Sequence, residues 1–294
     1  MTIKQIVKNS IDLHVHVRPE IVPRKFDVSK LVKLQKGKIA GLGIKNHFFP
    51  TVSMLRRNNS FIIPSVTLNN YQGGFNSELV RACAELYGKP LIVWFPTINA
   101  KNNLSKSKYE IPKEWVVPTF RNKLRQVSTD QIAGLTVLDK RGNLKNEVKV
   151  VLETIKKYDL VLATGHISWK ESVRVVKYAN KIGIKRIIIT HPIYQKIDMP
   201  IDIQKKLAQI GAKIEQCFSM YSIDKIPIKK IAEQIKVLGA ESCIITSDVG
   251  QLFSKLPDQA LLEFCKLLTR QRISLDDLEV MLVENPKKLT AVQG

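Results

Sequence analysis

A helical run of apolar residues that ends on glycine and passes at once into a short β-branched stretch recurs four times in this chain. No other feature narrows its fold as far. The units are LVRACAELYGKPLIVWFPT around Gly88, VVKYANKIGIKRIIITHP around Gly183, IQKKLAQIGAKIEQCF around Gly211 and IAEQIKVLGAESCIITSD around Gly239. Glycine just past a helix takes the left-handed conformation that other residues avoid, so each unit reads helix, cap, strand. SWKE at residues 168–171 has the S-x-x-E form of a capping box and marks a helix start.

Short apolar runs place strands near residues 11–16, 40–48, 61–68, 91–97, 159–166, 186–191, 213–218 and 243–248. Their near-continuous apolarity suits parallel strands covered on both faces. Eight strands alternating with helices predict an α/β fold of the (β/α)8 TIM-barrel type, a single domain over residues 1–294. A doubly wound sheet is the structural rival; polar residues at nearly every strand end favour closure. Residues 98–146 break the rhythm and read as an elaboration between strands four and five, with a lid as one role. Within it, LTVLDKRGNLKN resembles a hairpin.

Composition removes several function classes. No run of about eighteen apolar residues occurs, so no membrane partner is expected. The start MTIKQIVKNSIDL lacks the apolar core of a leader, and a cytoplasmic protein is expected. Cys83, Cys217, Cys243 and Cys265 are far apart and read as reduced, small core residues. The formal net charge of +21 favours an anionic small-molecule substrate or nucleic acid. Lysines dispersed along helices, with only 7% aromatic residues, argue against nucleic acid. A Lys- and Ile-rich, Gln-poor composition is also shared with heat-adapted chains. A homo-oligomer is compatible with the sequence, which locates no interface.

All five histidines fall at predicted strand ends: His14 and His16 in DLHVH, His47 in GIKNHFFPT, His166 in LATGHIS and His191 in IIITHP. Asp248 follows the eighth strand in IITSDVGQ. Chemistry in a barrel of this type sits at the carboxyl ends of the strands. Residues two apart on a strand share a face, so His14 and His16 can share one ion with partners brought from other strands. Neutral imidazole and carboxylate suit Zn²⁺, with Mn²⁺ or Fe²⁺ as alternatives and one or two ions as open choices. A bound cation lowers the pKa of its water toward about 7, and Asp248 is placed both to ligate and to move the proton.

This ordered set resembles the amidohydrolase superfamily, whose barrel carries H-x-H on strand one, single histidines on strands five and six, and aspartate on strand eight. The ending ENPKKLTAV is similar to the Asn-Pro helix common after its last strand. The resemblance covers nearly the whole chain and implies a metal-dependent hydrolase that uses metal-bound hydroxide on a C–N or C–O bond of a cyclic amide, lactone or ester. His14, His16, His166, His191 and Asp248 take the ligand positions. LIVWFPT lacks the carboxylated lysine that bridges two ions in many members. Lys45, which shares a face with His47 and could serve after carboxylation, and Glu215 in KIEQCF are further candidate ligands, as is His47, which reads equally as a substrate contact or structural residue. Lys45 also reads as a cation for a substrate anion or as a side chain leaving the barrel mouth for solvent. KNHFFPT looks like the mark of a little-characterised branch. Asp12 is expected to support the ligands, while Arg18, Asn69 and Tyr71 are candidate substrate contacts. A metal-dependent phosphoesterase, and a basic nucleic-acid-binding barrel without activity, are the alternative readings.

Overall fold

The computed structural model describes residues 1–55, 60–88, 90–116 and 125–291; residues 117–124 of the expected elaboration lie outside them. Eight parallel strands alternate with helices: β1 (Ile11–His16), β2 (Gly41–Lys45), β3 in two pieces (Ile62–Ile63 and Ser65–Thr67), β4 (Ile92–Trp94), β5 (Val161–Ala163), β6 (Ile187–Ile189), β7 (Lys213–Cys217) and β8 (Cys243–Thr246). Helices end where the sequence places them, at Gly88, Gly183, Gly211 and Gly239, all with positive φ. The capping box at Ser168 and Glu171 is present. The expected hairpin is the turn at Asp139–Gly142, flanked by an antiparallel bridge between Leu138 and Leu144.

Pairing runs from β1 to β2 to the first piece of β3, and from the second piece of β3 through β8. Pro64 separates the two pieces of β3 and has no N–H to offer the ladder. Beyond it, hydroxyls join β3 to β2 and the chain after it. Ser65 Oγ donates to Ile44 O at 2.7 Å and Thr67 Oγ1 to Asn46 O at 2.8 Å. Thr51 Oγ1 receives Ser65 N at 2.7 Å. At the other side the chain after β8 returns to β1: Asp248 N donates to His14 O at 2.8 Å and His16 N to Val249 O at 2.7 Å. The fold is a TIM barrel.

The two faces of the strands pack into separate clusters. Leu13, Ile63, Ile92, Trp94, Val161, Ala163, Ile188 and Ile244 fill the barrel interior with Leu289 of the last helix. Val15, Val17, Leu42, Ile44, Val93, Leu162, Ile189 and Ile245 face outward into the helical layer. Among the described residues no helix is long and apolar enough to cross a membrane.

One irregularity in this alternation positions the site. Ile11 and Leu13 belong with the inner cluster, yet Val15 and Val17 belong to the outer one. The in–out order therefore slips by one residue at His14, and the β1–β2 register shifts at the same place, between Asp12 and Val15. Such a bulge re-aims the side chains beyond it. Unbroken alternation would put His14 and His16 on the face opposite Leu13, against the helices. The slip turns both inward. Asp12 Oδ1 steadies it by accepting His14 N at 3.2 Å and Ser247 N at 3.0 Å. Gly43 makes room for it, since a Cβ there would stand 2.6 Å from Leu13 O.

Gly43→Ala is therefore expected to lower stability by about 1–3 kcal/mol, the usual cost of an overpacked core. Urea unfolding should show a lower midpoint with an unchanged slope. An unchanged midpoint would mean that β1 moves off β2 without loss.

Candidate metal centre

His14 and His16 lie in the carboxyl half of β1 and His47, His166 and His191 just past β2, β5 and β6, and the five rings form a closed circuit. Centroids lie 5.3 Å apart for His14–His16, 4.7 Å for His16–His47 and 6.5 Å for His47–His166. His166–His191 at 5.0 Å and His191–His14 at 5.9 Å complete it. Asp248, at φ +50° directly after β8, points its carboxylate into this circuit. Its Oδ1 is 3.1 Å from His14 Nε2 and 3.0 Å from His16 Nε2, while Oδ2 accepts from Ser219 Oγ at 2.7 Å.

Glu215 stands behind His14. Its Oε1 accepts from His14 Nδ1 at 2.9 Å and from Thr246 Oγ1 at 2.9 Å, and its Oε2 accepts from His191 N at 2.9 Å. A proton on His14 Nδ1 leaves Nε2 as an acceptor, which meets Lys45 Nζ at 3.0 Å beside Asp248. The Nδ1 atoms of His16, His166 and His191 are buried without a hydrogen-bond partner among the described residues.

Burial dominates the electrostatics. It holds His16, His47 and His166 well below the ordinary imidazole range and His191 at about 4, in the last case against the pull of Glu215 and Asp248. Burial also pushes the two carboxyls up, but it is outweighed. Attraction to His14 and the hydrogen bond from His16 hold Asp248 well below the carboxylate range, and His14 holds Glu215 at about 2. The arrangement thus presents neutral imidazoles at His16, His47, His166 and His191 and an ionised carboxylate at Asp248, the forms that ligate a divalent cation. His14, Cys217 and Asp248 place donor atoms within 4.8 Å of one another, as do His16, Glu20 and His47. Burial raises the Cys217 thiol well above its ordinary value, so it stays protonated and ligates poorly.

Lys45 does not leave the mouth for solvent. It is 1% exposed, with Nζ 3.0 Å from His14 Nε2 and 4.2 Å from the Trp94 ring centroid. Burial lowers it to about 8, partly offset by Asp248 and Glu215. Glu215 partners His14 rather than a surface lysine. Asp12 lies behind the H-x-H pair, hydrogen-bonded to backbone.

The three candidate substrate contacts all stand outside the cleft. The Arg18 guanidinium is half exposed and pairs with Asp27 at 2.9 Å, which draws it outward. Asn69 is buried as a brace: it donates to Thr97 Oγ1 at 2.8 Å and His47 O at 3.0 Å and accepts from Thr97 N at 2.8 Å. Tyr71 is partly exposed, its ring packed against Phe48.

The cleft above the histidines is lined also by Arg24, Trp115, Tyr194, Ser219, Asp224 and Gln251. Sequence reasoning missed these six. The only available signal was proximity, since Tyr194 lies three residues past His191 and Gln251 three past Asp248. Trp115 comes from the elaboration between β4 and β5.

A model of a family of unknown function (DUF6282) matches residues 9–215. No curated protein matches the chain. Among solved structures, an amidohydrolase from Pseudomonas aeruginosa is similar at TM-score 0.63 and 10% identity, covering 98% of each chain. A Pseudomonas putida protein described as a 2-pyrone-4,6-dicarboxylic acid hydrolase is similar at TM-score 0.56 and 12% identity, covering 96% of this chain and 97% of its own. An amidohydrolase from Burkholderia multivorans with bound zinc reaches TM-score 0.50 at 10% identity, covering 97% of this chain and 100% of its own. At such identities the likeness is one of fold, the (β/α)8 barrel.

Asp224 gives a pH test of the cleft. Burial and the Asp248 charge push it up to about 6 from an ordinary 3.8, with Lys196 partly offsetting them. The folded state resists its ionisation, so its contribution is present below pH about 4 and lost as pH rises through about 6. In metal-stripped protein, Asp224→Asn should leave the urea midpoint at pH 4 unchanged and raise it at pH 7.5. Equal midpoints at both pH values would show that the carboxyl ionises without penalty.

Proposed function

The chain belongs to the family of unknown function DUF6282, and for it we propose a metal-dependent hydrolase acting on a C–N or C–O bond of a cyclic amide, lactone or ester. The observation that carries this is the circuit of imidazoles closed by Asp248 at the carboxyl ends of the strands. His14, His16, His166, His191 and Asp248 would hold the ion, with His47 beside them. The fit rests on three buried imidazole nitrogens without partners and on an aspartate held as carboxylate. Zn²⁺ is the expected ion, a choice supported by zinc bound on the same fold in the Burkholderia multivorans protein. Glu215 orients His14 instead of ligating.

A divalent cation bound there supplies Lewis-acid polarisation of a carbonyl and an acidified water. Asp248 is the general base: it takes the proton of the attacking water and delivers it to the leaving group. Ser219 fixes its second oxygen so that Oδ1 keeps facing the histidines. The Lys45 ammonium sits 3.0 Å from His14 Nε2, where it offsets negative charge on the substrate oxygen. An ammonium beside the histidines is the opposite of the anion that two adjacent cations would need between them, so the site reads as a one-ion centre. Hydrolases among the structural neighbours support this class of chemistry. A cytoplasmic setting suits the four cysteines, all buried and free.

Elemental analysis of purified protein should find about one equivalent of Zn, Mn or Fe, reduced in His166→Ala. Asp248→Asn should lower kcat on a responsive lactone, amide or ester by about 10²–10⁴-fold, the range of a lost general base. A native chain free of metal that also takes up none from added salts would overturn the proposal.

A further inference from the structure

Arg24 stands in the cleft as a charged group whose bonding its neighbours leave unfinished. It is 3% exposed and lines the cleft beside His16, Lys45 and His47. Its Nε donates to Glu20 Oε2 at 2.5 Å, and Glu20 is itself anchored, its Oε1 accepting His47 N at 2.9 Å. The backbone at Arg24 is fixed as well, paired antiparallel with Gln251, while Lys25 N donates to Gly250 O at 2.9 Å. Yet Nη1 and Nη2 are both buried with no hydrogen-bond partner among the described residues.

A guanidinium carries five N–H donors, of which this one uses a single donor internally. Burying a charged fork with its remaining donors unpaired is unfavourable unless something completes it. The nearby carboxylates are already engaged: Asp248 by His14, His16 and Ser219, and Glu215 by His14, Thr246 and the His191 amide. The two terminal nitrogens form the planar pair that receives both oxygens of a carboxylate. Glu20 already offsets the single positive charge of the guanidinium, so what the fork offers is its free donors and planar geometry, which suit a singly charged carboxylate better than a doubly charged phosphate. Arg18, the arginine nearest the H-x-H pair in sequence, is turned away onto Asp27 and cannot serve.

We infer that Arg24 binds a carboxylate on the substrate through Nη1 and Nη2, so that the molecule hydrolysed is an acid with its scissile amide or ester held over His16 and Asp248. The inference rests on the hydrolase reading for the word substrate, but Arg24 can be tested apart from it. Glu20 is then a positioning residue that holds the fork at the correct angle, and the chain's basic character agrees with an anionic ligand.

The test is calorimetric titration of glutarate, its neutral diamide glutaramide and inorganic phosphate, each into metal-loaded and metal-stripped protein. Native protein should bind glutarate in both states and glutaramide in neither. Arg24→Gln should weaken glutarate binding about tenfold or more, as expected for loss of a charge-assisted bidentate pair. Arg24→Lys, which keeps the charge and loses the fork, should fall between them and guards against misfolding of the first variant. Metal content should not change in either variant. Glutarate binding that ignores Arg24, that appears only in loaded protein, or that is weaker than Arg24-dependent phosphate binding would overturn the inference, as would no binding at all. A native chain that takes up no metal, with Arg24-dependent glutarate binding intact in stripped protein, would sink the hydrolase reading alone.

Discussion

The site depends on a one-residue slip in the first strand. A barrel strand spends alternate side chains on the interior and on the helical layer, and regular alternation through β1 would have sent both histidines of the H-x-H pair outward. The bulge at Leu13–His14 lets Leu13 fill the core and His14 face the cleft in succession. Gly43 on the neighbouring strand has no Cβ to obstruct it, and Asp12 takes up backbone N–H groups of His14 and Ser247. The same segment is where the chain after β8 meets β1, through Asp248 N to His14 O and His16 N to Val249 O. Aiming the histidines and bringing Asp248 beside them are therefore one structural event.

Around that event the molecule concentrates buried charge to an unusual degree. Lys45, Arg24, Glu215, Asp12 and Asp248 are all largely removed from water within a small volume. Each would be expensive alone, and each is tied to another: Glu215 to His14, Asp248 to His14, His16 and Ser219, Arg24 to Glu20. Among the described residues, the His16, His166 and His191 Nδ1 atoms and the Arg24 fork, all on side chains that line the cleft, lack hydrogen-bond partners, as do polar atoms elsewhere such as Trp94 Nε1 and the Gln216 amide. Five of these atoms belong to four side chains that line one concave place, where a ligand can meet their unmet bonding capacity.

Much of this was legible in the residues. Helix, glycine and strand follow one another locally, so their order and the strand count needed only short-range chemistry. The histidines could be assigned to one place because barrel topology gathers all carboxyl strand ends at one rim, whatever the details of packing. Lys45 was harder: its position was readable, but its burial against Trp94 and His14 depends on neighbours from β4 and β1. Arg18 and Arg24 show the same limit more sharply. They lie six residues apart in one loop, and the one nearer the motif is captured by Asp27 while the farther one is folded over the cleft by Gln251 and Glu20. Asn69 and Tyr71 sit in a loop with the composition of a ligand-binding turn, yet Thr97 and Phe48 claim their side chains.

By itself the sequence determined the alternation of elements, the barrel, and the gathering of the histidines and Asp248 at one rim, because periodicity, glycine caps and side-chain identity act locally or through topology alone. Tertiary structure decided which way the H-x-H pair faces, which arginine reaches the cleft, and that Lys45 lies inside it. Those outcomes turn on a register shift between two strands and on competition among charged partners distant in sequence. Such differences are settled only when the strands are packed, since a slip of one residue reverses every face that follows it.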